Sequence, residues 1–260
     1  MNKPTLGGAL FVWRGVDQDY HFEQSIECLA EFCDKVSISV GGNDGTHEKV
    51  VSLVFKLTEK YPDKSFHIRP IFEDEWNAHQ GREKLSYFTN VAIEQLDTEW
   101  VCNLQADEIL TPESYPIIRA IIENPSIEGV VCARRHFWYD PCHYLTVPFE
   151  RMPCGTQIVR LAKQKYRAID DAESIHVDGP MVYHPDIEIL HFGFVRDPKR
   201  HMTKIRHMQG EVFQIEVDKR CDGMEVFDPS KFFSRSDVTR YERELPPLIQ
   251  SWAKERYPEL

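Results

Sequence analysis

The chain predicts an α/β domain with a mainly parallel sheet flanked by helices, then a mixed, loop-rich second half and a helical tail. Three observations lead there. Apolar strand patterns alternate with amphipathic helical patterns from Leu6 to Leu104. One of those strands, Trp100 to Leu104, runs on to an adjacent carboxylate pair, Asp107-Glu108. Hydrophobic residues make up 42% of the 260 residues and aromatics 12%, enough to fill one large core.

Taken in order, Leu6 to Trp13 follows Pro4 and reads as a buried strand of small, branched and aromatic residues. Phe22 to Phe32 sets Ile26, Leu29 and Ala30 at helical spacing. Lys35 to Val40 alternates Val36, Ile38 and Val40 with Lys and Ser, a strand pattern. Gly41 to Thr46 is a glycine-rich loop, and Glu48 to Tyr61 is a second amphipathic helix. Phe66 to Phe72 reads as a third strand. Lys84 to Leu96 carries Leu85, Phe88, Val91, Ala92 and Leu96 on one helical face, and Trp100 to Leu104 is the fourth strand.

The second half has a different texture. Gly129 to Arg135 is strand-like, and the aromatic cluster Phe137-Trp138-Tyr139 follows. Loops rich in Pro, His and Asp are expected up to about residue 190, then a short strand from Glu188 to Phe194. Asp197 to Ile215 reads as a helix with many basic residues. In the tail from Asp237 to Arg256, Pro246-Pro247 must interrupt or begin a helix, expected to pack over the main domain.

Net charge is −11, from 42 acids against 31 bases, which opposes general nucleic-acid binding but leaves room for a local basic pocket. Basic residues concentrate between Arg196 and His207. No apolar run reaches the length of a membrane span, and Met1-Asn2-Lys3-Pro4 lacks the basic-then-apolar start of a signal peptide, so a cytoplasmic protein is expected. The seven cysteines (Cys28, Cys33, Cys102, Cys132, Cys142, Cys154 and Cys221) lack paired C-x-x-C spacing and are expected as reduced, mostly buried thiols.

Two adjacent acids at a strand end repel each other unless a cation or a proton intervenes. The crevice beyond the carboxyl edge of a parallel sheet is where α/β proteins bind ligands. A divalent metal held against a phosphorylated substrate is one reading of the pair; a solvated pair capping the next turn is the other. The order of Asn43-Asp44-Gly45-Thr46, Gly81-Arg82, Asn90 and Gln105-Ala106-Asp107-Glu108 resembles family 2 glycosyltransferases of the GT-A fold. The resemblance covers residues 6 to 112, and continues weakly through Arg160-Leu161, Ile175-His176 and His191-Phe192-Gly193.

That resemblance implies a nucleotide-sugar donor, a divalent cation (Mn or Mg), a saccharide or other hydroxyl acceptor, and inverting transfer. Residues 1–112 are then the donor-binding half, 113–235 the acceptor and catalytic half of the same domain, and 236–260 the helical tail. Asp107 is the implied metal ligand, with His191 as a second ligand from across the pocket. Arg14, Asp44, Arg82, Asn90 and Gln105 are expected on the nucleotide side, and Arg196 and Lys204 against the diphosphate. Asp171 or Glu173 is expected as general base in the acid-rich stretch from Asp170 to Asp178, with Asp178 behind them. Glu108 is expected either to orient the acceptor or a metal-bound water, or to be a surface acid before a turn. Trp138, Tyr139 and His143 are candidates for an acceptor platform.

Two departures from the family pattern stand out. Gly41-Gly42 occupies the place of an Asp that reads the nucleotide base, and Gln105 replaces the first acid of Asp-x-Asp. They keep open a non-catalytic, carbohydrate- or partner-binding descendant of the fold. A sugar nucleotidyltransferase is the third class. Against it stands Arg14-Gly15-Val16-Asp17-Gln18-Asp19, which is acidic and glycine-poor where such enzymes carry a basic glycine-rich loop.

Overall fold

The computed structural model describes residues 3–147 and 156–259. Strands β1 (Leu6–Trp13), β2 (Lys35–Gly41), β3 (Ser65–Ile71) and β4 (Trp100–Gln105) lie side by side as β3-β2-β1-β4, all parallel. Helices α1 (Phe22–Phe32) and α2 (Thr46–Lys60) cover one face through Ile26, Leu29, Val50, Leu53 and Leu57. Helix α4 (Glu83–Glu94) covers the other, where Ala92 and Ile93 meet Ala9 and Val101. A sheet buried on both faces needs apolar residues at consecutive positions, which is why β1 reads Leu-Gly-Gly-Ala-Leu-Phe-Val-Trp. A short helix, α3 (Glu73–Ala78), had no counterpart in the sequence reading. It brings Trp76 onto Trp13.

After β4 come β5 (Glu108–Leu110) and a second unanticipated helix, α5 (Ser114–Ile122). Strand β6 (Gly129–Trp138) extends three residues beyond the expected Arg135 and takes in Phe137 and Trp138. The expected run of loops up to residue 190 is largely strand instead. It contains β7 (His143–Leu145), β8 (Gln157–Lys163), the ribbon β9 (Arg167–Ile169) and β10 (Ser174–His176), and β11 (Met181–Phe194). These strands are short or interrupted by Pro, His and charge, and their pairing partners lie far off in sequence, so local periodicity does not announce them.

β8 runs antiparallel between β4 and β6, and β11 pairs parallel with β6 and antiparallel with β5, extending the parallel core into one ten-stranded mixed sheet. β12 (Val238–Arg240) adds to β7 at its far edge. The basic segment splits into α6 (Pro198–Arg206) and a π-helical turn, His207–Val212. Asp197 caps α6 by accepting the backbone N–H groups of Lys199 and Arg200, and Pro198 sits at the first helical position. The tail helix α7 (Pro247–Arg256) begins at the Pro-Pro pair and joins the main core through Ile249, Trp252 and Ala253. No helix among the described residues is long and apolar enough to cross a membrane.

Trp138 is 2% exposed and packs with Phe194, Phe227 and Phe233 in a second apolar cluster, so it is core and not an acceptor platform. Tyr139 donates its hydroxyl proton to the carbonyl of Phe233, and His143 pairs with Asp140. Six cysteines are free thiols, all buried but the half-buried Cys142; Cys154 lies outside the described residues.

Candidate active site

The carboxyl ends of β1 and β4 open into a cavity of about 650 Å³. The tight turn Gln105–Glu108 forms its floor. The Glu108 carboxylate turns back to accept the backbone N–H of Gln105 at 3.0 Å and so closes this turn. Asp107 lies in the turn between β4 and β5 and Glu108 opens β5, so the two side chains part there. Asp107 faces the cavity, whereas Glu108 enters the interior between β6 and β8.

Neither acid is solvated, since Asp107 is 3% exposed and Glu108 fully buried. The cations that separate them belong to the protein. Glu108 Oε1 accepts from Arg160 Nη2 at 2.7 Å and Arg134 Nη1 at 3.2 Å, with all three side chains fully buried. The expectations of an acceptor-orienting Glu108 or a surface acid therefore both give way to a sealed ion triad. The two arginines also hold the β9–β10 turn. Arg160 Nη1 donates to the carbonyl of Ala172 at 2.7 Å, and Arg134 Nη2 to Glu173 at 2.5 Å. In that turn Asp170 and Ala172 have φ of 50° and 59°, left-handed for non-glycine residues, which needs this kind of support. Asp171 and Glu173 line the cavity from it.

Asp107 has its own pair of cations, from the far side of the fold. Arg196 Nη2 lies 3.2 Å and Lys204 Nζ 3.0 Å from its Oδ2. Arg196 is behind it, 1% exposed along the side chain and anchored on the carbonyl of Gln18. Lys204 lines the cavity and also donates to the carbonyl of Gly193 at 3.3 Å. Burial alone would raise the Asp107 carboxyl, but the Lys204 and Arg196 cations outweigh it and hold the group well below the ordinary carboxylate range. Gly193 leaves room for the His191 ring beside Asp107: a Cβ there would stand 2.4 Å from His191 Nε2.

His191 and Asp107 meet, as the resemblance implies, with Nε2 3.6 Å from Oδ1. Their chemistry does not fit a divalent cation between them. Arg134 Nε donates to His136 Nε2 at 3.4 Å, and a guanidinium cannot accept, so His136 carries its proton on Nδ1. His136 Nδ1 is 2.8 Å from Nδ1 of His191, which must accept. Burial keeps His191 neutral despite the pull of Asp107, so its proton sits on Nε2, facing the carboxylate. A metal-ligating imidazole has the opposite arrangement, with a lone pair toward the ion and an N–H given away on the other side. Charge opposes the ion as well. Arg196 and Lys204 lie 3.2 and 3.0 Å from the carboxylate oxygen that would have to bind it. Among the described residues, no three His, Cys, Asp or Glu side chains group as a metal set.

The other expected site residues divide clearly. Gln105 lines the cavity beside Asp107. Arg82 lies over the Phe213 ring at 5.2 Å, and its charge reaches Asp171. Asn90 instead pins β9, exchanging hydrogen bonds with the backbone of Ala168 at 3.0 and 2.8 Å. Asp44 shapes its own loop by accepting the N–H groups of Asp17 and Thr46. Arg14 pairs with Asp17 in a smaller adjoining cleft of about 280 Å³. Asp178 accepts from Tyr166 at 2.7 Å and is absent from the cavity wall. Of the basic cluster, Arg196 and Lys204 turn inward while Lys199, Arg200 and Arg206 are exposed.

Gly41 has a steric explanation. A Cβ there would lie 2.5 Å from the Trp13 ring and 2.6 Å from the Ile71 carbonyl. Trp13 in turn stacks on Trp76 at 4.3 Å, and both line the cavity with Phe11, Leu85 and Phe213. Sequence reasoning missed Arg134, His136 and Arg160. The one available signal was their alternation inside strand-like segments, where a charged residue at a core-facing position demands a partner.

No family model matches the chain, and no curated protein matches it. Solved structures overlap it loosely. TarS 1-349 from S. aureus superposes with a TM-score of 0.46 at 11% identity, over 90% of this chain and 73% of that one. A mannosyltransferase from Pyrobaculum calidifontis, PcManGT in complex with GDP-Man and Mn2+, gives 0.42 at 14%, over 80% and 62%. A putative glucose-1-phosphate thymidylyltransferase from Bacillus anthracis gives 0.43 at 10%, over 74% and 91%. Likeness at this distance carries no argument, so the chemistry rests on the chain's own residues.

Proposed function

We propose that the chain is a glycosyltransferase, moving a sugar from a nucleotide-sugar donor to a hydroxyl acceptor with inversion at the anomeric carbon. The observation that carries the reading is one cavity lined by three kinds of wall: the Asp107–Lys204 corner, the Asp171 turn and the Trp13–Trp76 stack. In this reading the acceptor hydroxyl attacks the anomeric carbon as Asp171 takes its proton. The bond from that carbon to the diphosphate oxygen breaks, and its electron pair leaves with the diphosphate. Burial, with Glu173 beside it, raises the Asp171 carboxyl above its usual value, which suits a base. Arg134 and Arg160 support the turn from beneath without touching substrate. The aromatic wall offers a face for the nucleobase, at a place where Gly41 leaves no carboxylate to read it.

Nucleoside diphosphate release from a panel of nucleotide sugars tests the proposal. At least one donor turns over, and Asp171→Asn lowers the rate by about 10²–10⁴ with folding unchanged. The wild-type rate falls as pH drops through the raised Asp171 value. A folded protein that binds nucleotide sugars without turnover would be a binding descendant of the fold. Full activity in Asp171→Asn would move the base elsewhere.

A further inference from the structure

We infer that, within the donor site proposed above, Lys204 neutralises the leaving diphosphate in place of a divalent cation. The inference deepens that reading and rests on it. Three features converge. Arg196 already offsets Asp107 from behind, while Lys204 reaches the same carboxylate oxygen from the cavity side. The unit charges of Asp107, Arg196 and Lys204 sum to +1, a set suited to an anion and unsuited to a dication. The chain Arg134 to His136 to His191 leaves His191 with Nε2–H toward Asp107 and the cavity, a hydrogen-bond donor with no lone pair for a metal.

Lys204 stands in the last turn of α6, three residues before the π-helical turn carrying His207 and Met208 along the cavity wall. π-Turns recur at functional sites. An ammonium is a compact charge on a flexible stem and can exchange Asp107 for a phosphate oxygen without leaving its place. As the glycosidic bond breaks, the additional negative charge on the diphosphate falls beside it. The corner then needs no ion to enter or leave with each turnover.

The experiment is calorimetric titration of UDP, GDP, ADP and CDP into the full chain, once in excess EDTA and once in excess Mn2+. At least one diphosphate is expected to bind in EDTA, with Mn2+ changing its Kd by less than about threefold. Lys204→Met should weaken that binding by about tenfold or more and Lys204→Arg should largely restore it, as loss and return of a charge-assisted contact predict. Binding that requires Mn2+ and disappears in Asp107→Asn would overturn the inference while leaving the donor-site reading intact. No binding under either condition would overturn both. A second measurement does not depend on the Lys204 variants folding. ¹⁵N NMR of the His191 ring is expected to show the proton on Nε2, and a proton on Nδ1 would remove the reason for excluding the metal.

Discussion

Asp107 and Glu108 are neighbours in one turn, each held by two cations of the protein itself, yet their surroundings differ in a way that separates structure from chemistry. Glu108 is sealed, with itself, Arg134 and Arg160 at 0% side-chain exposure. Asp107 is buried against Arg196, but its second partner, Lys204, keeps 18% exposure and lines the cavity. A closed ion triad cannot trade partners without leaving a bare charge in the interior, so it serves to hold its elements together. An ion pair with one partner at a cavity wall can trade. The turn between β4 and β5 sends the two carboxylates apart, so that Asp107 lines the cavity and Glu108 does not.

The largest expected effect tests the sealed member. Glu108→Ala takes the buried carboxylate from Arg160, leaving it the Ala172 carbonyl, and leaves Arg134 with Glu173, and should cost about 3–5 kcal/mol in urea denaturation. A loss below about 1 kcal/mol would mean that water reaches Arg160 and that Glu173 suffices for Arg134, and the contrast with Asp107 would collapse.

Asp107→Asn should cost less, about 1–3 kcal/mol, because Lys204 can turn to solvent while only Arg196 remains buried. Its pH dependence sharpens the comparison. A carboxyl held below its unfolded value, about 3.9 for Asp, contributes stability above that pH and loses it as pH falls toward the folded value. The stability gap between wild type and Asp107→Asn should therefore be full near neutrality and close progressively below about pH 4. A gap unchanged down to acid unfolding would show that the Asp107 carboxyl is not depressed.

The smallest effect belongs to Arg14, whose pair with Asp17 is about as exposed as an ordinary surface ion pair (38% and 42%). Arg14→Ala should change stability by no more than about 0.5 kcal/mol. A larger loss of diphosphate affinity than of stability would bring the smaller cleft into the donor site.

Much of this was legible along the chain. The first four strands and the helices α1, α2 and α4 lie within a few residues of where their periodicity puts them, because a sheet buried on both faces writes its strands as apolar runs. The need for a cation at Asp107-Glu108 was legible too, from like charge alone. The source of that cation was not. Arg160 stood in a weakly marked segment, Arg134 inside an expected strand with nothing to name its partner, His136 just past that strand's expected end, and the four later strands in what read as loops. Such strands are defined by partners across the sheet and not by a pattern of their own.

By itself, then, the sequence determined the α/β layering and the strand end at which two acids arrive. These are local consequences of side-chain period and apolar content. Only the tertiary structure decided what each acid meets. Its cations come from 26 and 52 residues away for Glu108, and from 89 and 97 for Asp107. It also decided that His191 faces Asp107 with a proton and not a lone pair. That outcome follows from Arg134, a donor with nothing to accept, whose position is set by the pairing of β6 and β11.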